Sequence, residues 1–256
     1  MEWQELNSDK TLPIHIDSDT LTWTNASQAK SGGVYRKMLE RKGDEVARAT
    51  TIVKFDPHQE FPRHTHAGGE EFIVLEGTWH DDYGAFPQYT YVRNYIGSSH
   101  TPSIKEDGCT ILVKLRQMSK MSEEPETRSW PLPELWELKY NRETGGELQK
   151  YPLFSSPLER TYAVYFKEYD DRTEEEDKKE RVLSIPPHGL EMFVMEGSLT
   201  SKEASTGIVR FHNRWSWTRL PNDTSVAQTL SLSTDHVDGA YVWIKEGHLD
   251  SDEVGV

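Results

Sequence analysis

The sequence contains a single cysteine, Cys109, no apolar run near the roughly 18 residues that span a bilayer, and few stretches with helical spacing. One thiol excludes an intrachain disulfide framework. Basic residues are scarce as well: 29 Lys and Arg stand against 43 Asp and Glu, and the net charge of -14 repels nucleic acid and anionic membranes. The opening MEWQELNSDK lacks the basic-then-apolar order of a secretory signal, which with the lone thiol points to a reducing, cytoplasmic setting. Small polar molecules or other proteins are left as partners, with no nucleic acid and no membrane.

What is present suits a β protein. A chain of 256 residues, 35% hydrophobic and 11% aromatic, can fill the core of one large or two ordinary domains. Short β-rich runs recur, among them TTIVKF (50 to 55), EFIVLEG (71 to 77), TYVRNY (90 to 95), CTILVKL (109 to 115) and YVWIKEG (241 to 247). Gly, Pro, Asn and Asp punctuate them at close intervals, as in an all-β sandwich or barrel. The best helix candidates, around Ala26 to Lys30 and Glu134 to Leu138, are short.

The polar, Pro-containing stretch SKMSEEPETRSWPLPEL (119 to 135) separates two strand-rich halves, and a boundary near residue 125 gives domains of 1–125 and 126–256. The run KEYDDRTEEEDKKE (167 to 180) is too charged for a core and reads as a solvated hairpin loop. The halves also repeat each other. EEFIVLEG (70 to 77) superposes on LEMFVMEG (190 to 197), Arg93 and Arg219 begin a second matching pair, and GCTILVK (108 to 114) superposes on GAYVWIK (239 to 245). Three blocks in the same order imply a duplicated barrel.

The chemistry lies in HTHAGGEEFIVLEG (64 to 77) and GSSH (97 to 100). Residues two apart in a strand face one side, so His64 and His66 aim inward while Thr65 faces away. Gly68 and Gly69 permit a tight turn, after which Glu70 brings a carboxylate to the same point and His100 arrives from a paired strand. Glu71 is the rival carboxylate, on the opposite face. Three imidazoles and a carboxylate suit a divalent metal ion, Fe(II) or Zn(II) first, with Mn(II), Ni(II), Co(II) and Cu(II) also compatible. In octahedral coordination such a set leaves two neighbouring positions open for water, oxygen or a bidentate substrate. Phe72 and Val74 share the strand face of Glu70, and Tyr91 and Arg93 come from a neighbouring strand. Phe72, Tyr91 and Arg93 are therefore candidates to line a substrate pocket, or else barrel core. Cys109, beside an apolar run, reads as a small buried hydrophobe or as a redox sensor.

His64, His66, Glu70 and Gly77 match the first cupin motif. The second is matched by Gly97 and His100, with Tyr95 where Pro is usual, Ile104 where Asn is usual, and His58 in place of the Gly that opens the first. HAGGEEFIVLEG, the DDYG at 81 to 84 and GSSHTPSIKEDGCTILVK (97 to 114) resemble the ChrR-like cupin family. WSWTRLP (215 to 221) and WIKEGHL (243 to 249) look like the second cupin of its two-domain members. The resemblance implies two cupin (double-stranded β-helix, jelly-roll) barrels, the first holding one metal ion. The repeat places Ser184, Pro186, Leu190 and Val226 at the ligand positions of the second, which then serves as packing surface, pocket lid or oligomer interface, as in a homodimer.

By the same resemblance, the leading expectation is a dioxygenase like the acetylacetone-cleaving and dihydroxyacetophenone-cleaving cupins, acting on a small dicarbonyl, enol or hydroxyketone. Those diketone dioxygenases use three histidines, so Glu70 is an addition, and no residue announces itself as general base. The alternatives are a regulatory sensor of the anti-sigma ChrR kind, whose N-terminal helical zinc module has no counterpart in the first 50 residues, and a Lewis-acid isomerase, lyase or hydrolase.

Overall fold

A computed structural model describes residues 3–26, 32–44, 46–118, 127–131, 149–166, 181–222, 224, 228–234 and 239–249. In chain order the strands are β1 (Gln4–Leu6), β2 (Ile14–Asp17), β3 (Thr24–Asn25), β4 (Val34–Gly43), β5 (Arg48–Phe55), β6 (His64–Thr65), β7 (Glu70–Asp81), β8 (Gly84–Pro87), β9 (Thr90–Asn94), β10 (Ser99–His100) and β11 (Ser103–Leu115). They continue with β12 (Thr127–Pro131), β13 (Gln149–Ser155), β14 (Arg160–Phe166), β15 (Arg181–Ile185), β16 (Leu190–Glu196), β17 (Leu199–Glu203), β18 (Val209–His212), β19 (Ser216–Leu220), β20 (Gln228–Ser233) and β21 (Ala240–Glu246). A single 3-10 turn at Ser18–Thr20 is the helical structure among the described residues, and no helix there is long and apolar enough to cross a membrane.

The strands fall into two units. The first has a sheet with the order β1-β4-β5-β11-β7-β9-β12, joined by β3 and β8, and a β6–β10 ribbon that carries the first and last histidines of the sequence motif. The second has a six-stranded sheet, β13-β14-β21-β16-β19-β2, and a four-stranded one, β15-β20-β17-β18. Two strands depart from a single cut near residue 125. β12 follows the cut yet pairs with β9 in the first unit, and β2 precedes it yet pairs with β19 in the second. Of the helix candidates, Glu134 to Leu138 lies outside the described residues, and Ala26 follows β3 and is in no helix, with residues 27–30 outside them too. The charged run lies outside them as well.

Central strands are buried on both faces, which is why their sequences read as nearly continuous apolar runs. Phe72, Val74, Trp79, Val92, Cys109, Ile111 and Val113 pack into the core of the first unit, and Leu190, Met192, Val194, Leu220, Val242 and Ile244 into that of the second. Burial raises the Cys109 thiol to about 12, so it is protonated and inert and serves as a small hydrophobe.

The repeat extends to backbone detail. In each unit the matched strands, β7 with β11 and β16 with β21, shift register at the same place, leaving Leu75 and Met195 unpaired as bulges. Two residues on, Gly77 and Gly197 both have a φ of 72°. A Cβ at Gly197 would stand 2.0 Å from the Gly239 carbonyl oxygen, and one at Gly77 2.2 Å from that of Gly108. Only glycine fits at either position.

Candidate metal centre

The site is built where β6 and β10 face each other. His64 and His100 are direct cross-strand partners, so their side chains share one face of the ribbon. His66 follows as the chain turns, its N–H donating to the Ser98 carbonyl at 2.9 Å and its carbonyl accepting from Gly97 N–H at 2.9 Å. Gly69, at a φ of 75°, completes the turn and delivers Glu70 as the first residue of β7.

Three ring nitrogens converge. His66 Nε2 lies 3.0 Å and His64 Nε2 3.2 Å from His100 Nε2. Glu70 Oε2 stands 3.5 Å from His66 Nε2 and 3.8 Å from His100 Nε2, approaching from the side of those two rings. Two nitrogens each about 2.1 Å from one ion would stand about 3.0 Å apart at a right angle and about 3.4 Å apart in a tetrahedron, so the spacing suits a shared ion.

The outer partners of the rings fix their tautomers. His64 Nδ1 faces the Pro62 carbonyl at 3.1 Å, and a carbonyl only accepts, so Nδ1 carries the proton and Nε2 a lone pair. His100 Nδ1 donates to Asp81 Oδ2 at 2.9 Å with the same result. Burial holds His66 below the ordinary imidazole value, with Glu70 opposing and the two neighbouring histidines reinforcing the shift. The Nε2 lone pairs of His64 and His100, facing each other at 3.2 Å, repel unless a cation stands between them. The donor set therefore fits a metal ion.

Glu70 is held too. Asn94, opposite it on β9, donates Nδ2–H to Glu70 Oε2 at 3.0 Å, and Thr127 of β12 donates to Asn94 Oδ1 at 2.9 Å. His66, Glu70 and His100 are buried while His64 is exposed, so the site opens to solvent on the His64 side.

The expected pocket residues divide. Phe72 shares the face of Glu70 and packs at 5.1 Å on Trp79, whose ring lies 6.1 Å from His100, which makes it core beside the site. Tyr91 and Arg93 do not line it. On β9 they alternate with Val92 and Asn94 and so face the other side, where the Tyr91 hydroxyl donates to Glu71 Oε2 at 2.6 Å and Arg93 Nη1 donates to the same oxygen at 2.9 Å. Glu71 belongs to that buried ion pair. Asp81 and Asn94, which contact the candidate ligands, carry no signal in ligand spacing; the first sits in the DDYG segment and the second pairs with Glu70 only through strand register.

In the second unit Leu190 is buried in the core and Ser184 is exposed. Val226 lies outside the described residues. Ser184 pairs with Thr229 as His64 pairs with His100, so by strand pairing Thr229 is the counterpart of His100. His15 and His212 join a polar chain: His15 Nδ1 contacts Thr218 Oγ1 at 2.8 Å, which contacts His212 Nδ1 at 3.2 Å, while His212 Nε2 meets Ser201 Oγ at 2.7 Å. Burial, with the charges of His15 and Arg210, lowers His212 to about 3. The unfolded chain then takes up this proton first, near the ordinary pH of about 6.5, and the stability present above that pH is lost as pH falls towards 3. The thermal midpoint is expected to drop between pH 7 and 5, and the drop to be shallower in His212→Gln.

Comparison with known proteins agrees with this geometry. Residues 11–119 match the family model of the ChrR cupin-like domain. The matched segment, which contains all four candidate ligands, is similar to the ChrR-like cupin family. No curated protein matches the chain in sequence. Solved structures that share its fold include Ylba from E. coli, with 12% identity, a TM-score of 0.62, and coverage of 97% of this chain and 96% of that one. The nickel(II) complex of pirin YhhW from Escherichia coli has 12% identity, a TM-score of 0.60, and coverage of 92% and 99%. A salicylate 1,2-dioxygenase variant from Pseudoaminobacter salicylatoxidans has 10% identity, a TM-score of 0.57, and coverage of 96% and 86%. At such identity the likeness shows the fold, which is all-β with two cupin barrels, and the chain carries a candidate three-histidine metal site.

Proposed function

We propose that the protein is a metal-dependent oxygenase acting on a small dicarbonyl, enol or hydroxyketone. The convergence of the three Nε2 atoms beside Glu70 carries this reading. His64, His66, Glu70 and His100 would hold the ion, Fe(II) for oxygen chemistry. A bound ion would acidify a substrate that chelates it through two oxygens and hold it for reaction with oxygen. The buried imidazoles and Glu70 keep the inner side of the site closed to water, and the exposed side at His64 admits a small molecule. The salicylate 1,2-dioxygenase on the same fold supports oxygen chemistry at a cupin centre.

Anaerobic purification should yield one equivalent of metal per chain, and oxygen uptake should follow with some of a panel of 1,3-diketones and α-hydroxyketones. Full zinc occupancy with no uptake across the panel would refute the oxygenase and leave Lewis-acid chemistry or sensing. Two tightly bound equivalents would reveal a second site.

A further inference from the structure

Building on the metal-centre reading above, we propose that Asp81, in the DDYG segment at the end of β7, is a positioning residue of the centre, the charged partner that orients His100. Three consecutive residues of this segment contact the stretches that carry His64 and His100. Asp81 Oδ2 accepts from His100 Nδ1. Asp82 Oδ2 accepts from Arg63 Nη1 at 2.9 Å and from Thr101 Oγ1 at 3.1 Å, the neighbours of His64 and His100. The Tyr83 hydroxyl donates to the Ser99 carbonyl at 3.2 Å.

Asp81 is itself immobilised. Its side chain is 0% exposed, Oδ1 accepts the Tyr83 N–H at 2.8 Å, and Oδ2 also accepts the Trp79 indole N–H at 3.3 Å. An ionised carboxylate only accepts, so it commits His100 to the tautomer whose Nε2 faces the site, and its charge makes that nitrogen a better donor to a cation. An amide or hydroxyl in its place could reverse its own donor sense and would not enforce that choice. Asp82 differs, since it is an exposed ion-pair partner of Arg63 and contributes little.

The test is a competition titration of the full-length apoprotein with Co(II) and Zn(II) against a chromophoric chelator, reading both affinity and the visible spectrum of bound Co(II). Asp81→Ala is expected to weaken binding about 10- to 100-fold. The isosteric Asp81→Asn, which keeps an acceptor and loses the charge, should fall between it and the parent, and Asp82→Ala should stay within about threefold, as an exposed pair allows. Thermal midpoints of the apoproteins separate a binding defect from loss of fold, and Asp81→Asn preserves the test if the alanine variant does not fold. Parent-like affinity and Co(II) spectra in both Asp81 variants would overturn the proposal while leaving the metal centre intact. A parent protein that takes up neither metal would overturn the centre and this inference with it.

Discussion

Replacing His66 by alanine is expected to strip the protein of metal and leave it folded. The side chain is buried and its Nε2 lies 3.0 Å from that of His100. Its loss removes a candidate direct ligand, so affinity should fall by more than the roughly 100-fold that marks an outer partner. The barrel has its own support in the packed cluster of Phe72, Val74, Trp79, Val92, Ile111 and Val113, and unlike a zinc finger it does not draw its folding energy from the ion. Elemental analysis and calorimetry read the two quantities separately. Glu71→Ala should behave in the opposite way, although its neighbour Glu70 faces the site. It removes the carboxylate that accepts from both Arg93 and Tyr91, each 1% exposed, and so breaks a buried ion pair. Breaking a buried pair costs about 3–5 kcal/mol, or roughly 6–20 °C in the thermal midpoint of a chain this size, with metal content retained. Loss of fold in His66→Ala would mean that the ion is structural, and loss of metal without loss of stability in Glu71→Ala would mean that the two faces of β7 have been misassigned.

The difference between these neighbours shows what a sequence displays and what it hides. Spacing within one strand is local, so the placement of Glu70 and Glu71 on opposite faces is legible from alternation alone. The repeat is legible for a related reason, since a glycine whose Cβ would meet a carbonyl, as at Gly77 and Gly197, recurs wherever the bulged strand pair recurs. Register between strands is not local. Whether Tyr91 or Val92 shares a face with Glu70 depends on the pairing of Glu70 with Asn94, and a shift of one residue exchanges the two sets. The same holds for Asp81, which meets His100 only because β7 runs on past the core into its hairpin with β8. β2 is the extreme case: four residues, half-buried, whose partner lies about 200 positions further along the chain.

A fragment of residues 1–125 is expected to aggregate and to hold metal poorly, although it contains all four candidate ligands. It keeps β2 but loses β19, so Ile14 and Ile16 and the backbone groups of Ile14–Asp17 have no strand to pair with. It also loses β12. That strand covers β9 from Thr90 to Asn94, and its Thr127 donates to Asn94 Oδ1 while Asn94 donates to Glu70 Oε2. The cut therefore opens a sheet edge and releases the last link of the chain that aims the carboxylate. A fragment of residues 1–131 restores β12 and should recover metal affinity in part, while its β2 stays unpaired and its solubility stays low. The complementary fragment fares no better, because Arg219, 0% exposed, donates Nη2–H to the Asp9 carbonyl and Nε–H to the Leu12 carbonyl, both of which leave with the first piece. A buried guanidinium that has lost these two carbonyl acceptors and an open edge on β19 predict an insoluble product. Light scattering and metal analysis of the three fragments measure these effects directly. A monodisperse 1–125 fragment with one full equivalent of metal would show that neither strand pairing matters to the centre, and would defeat the reading.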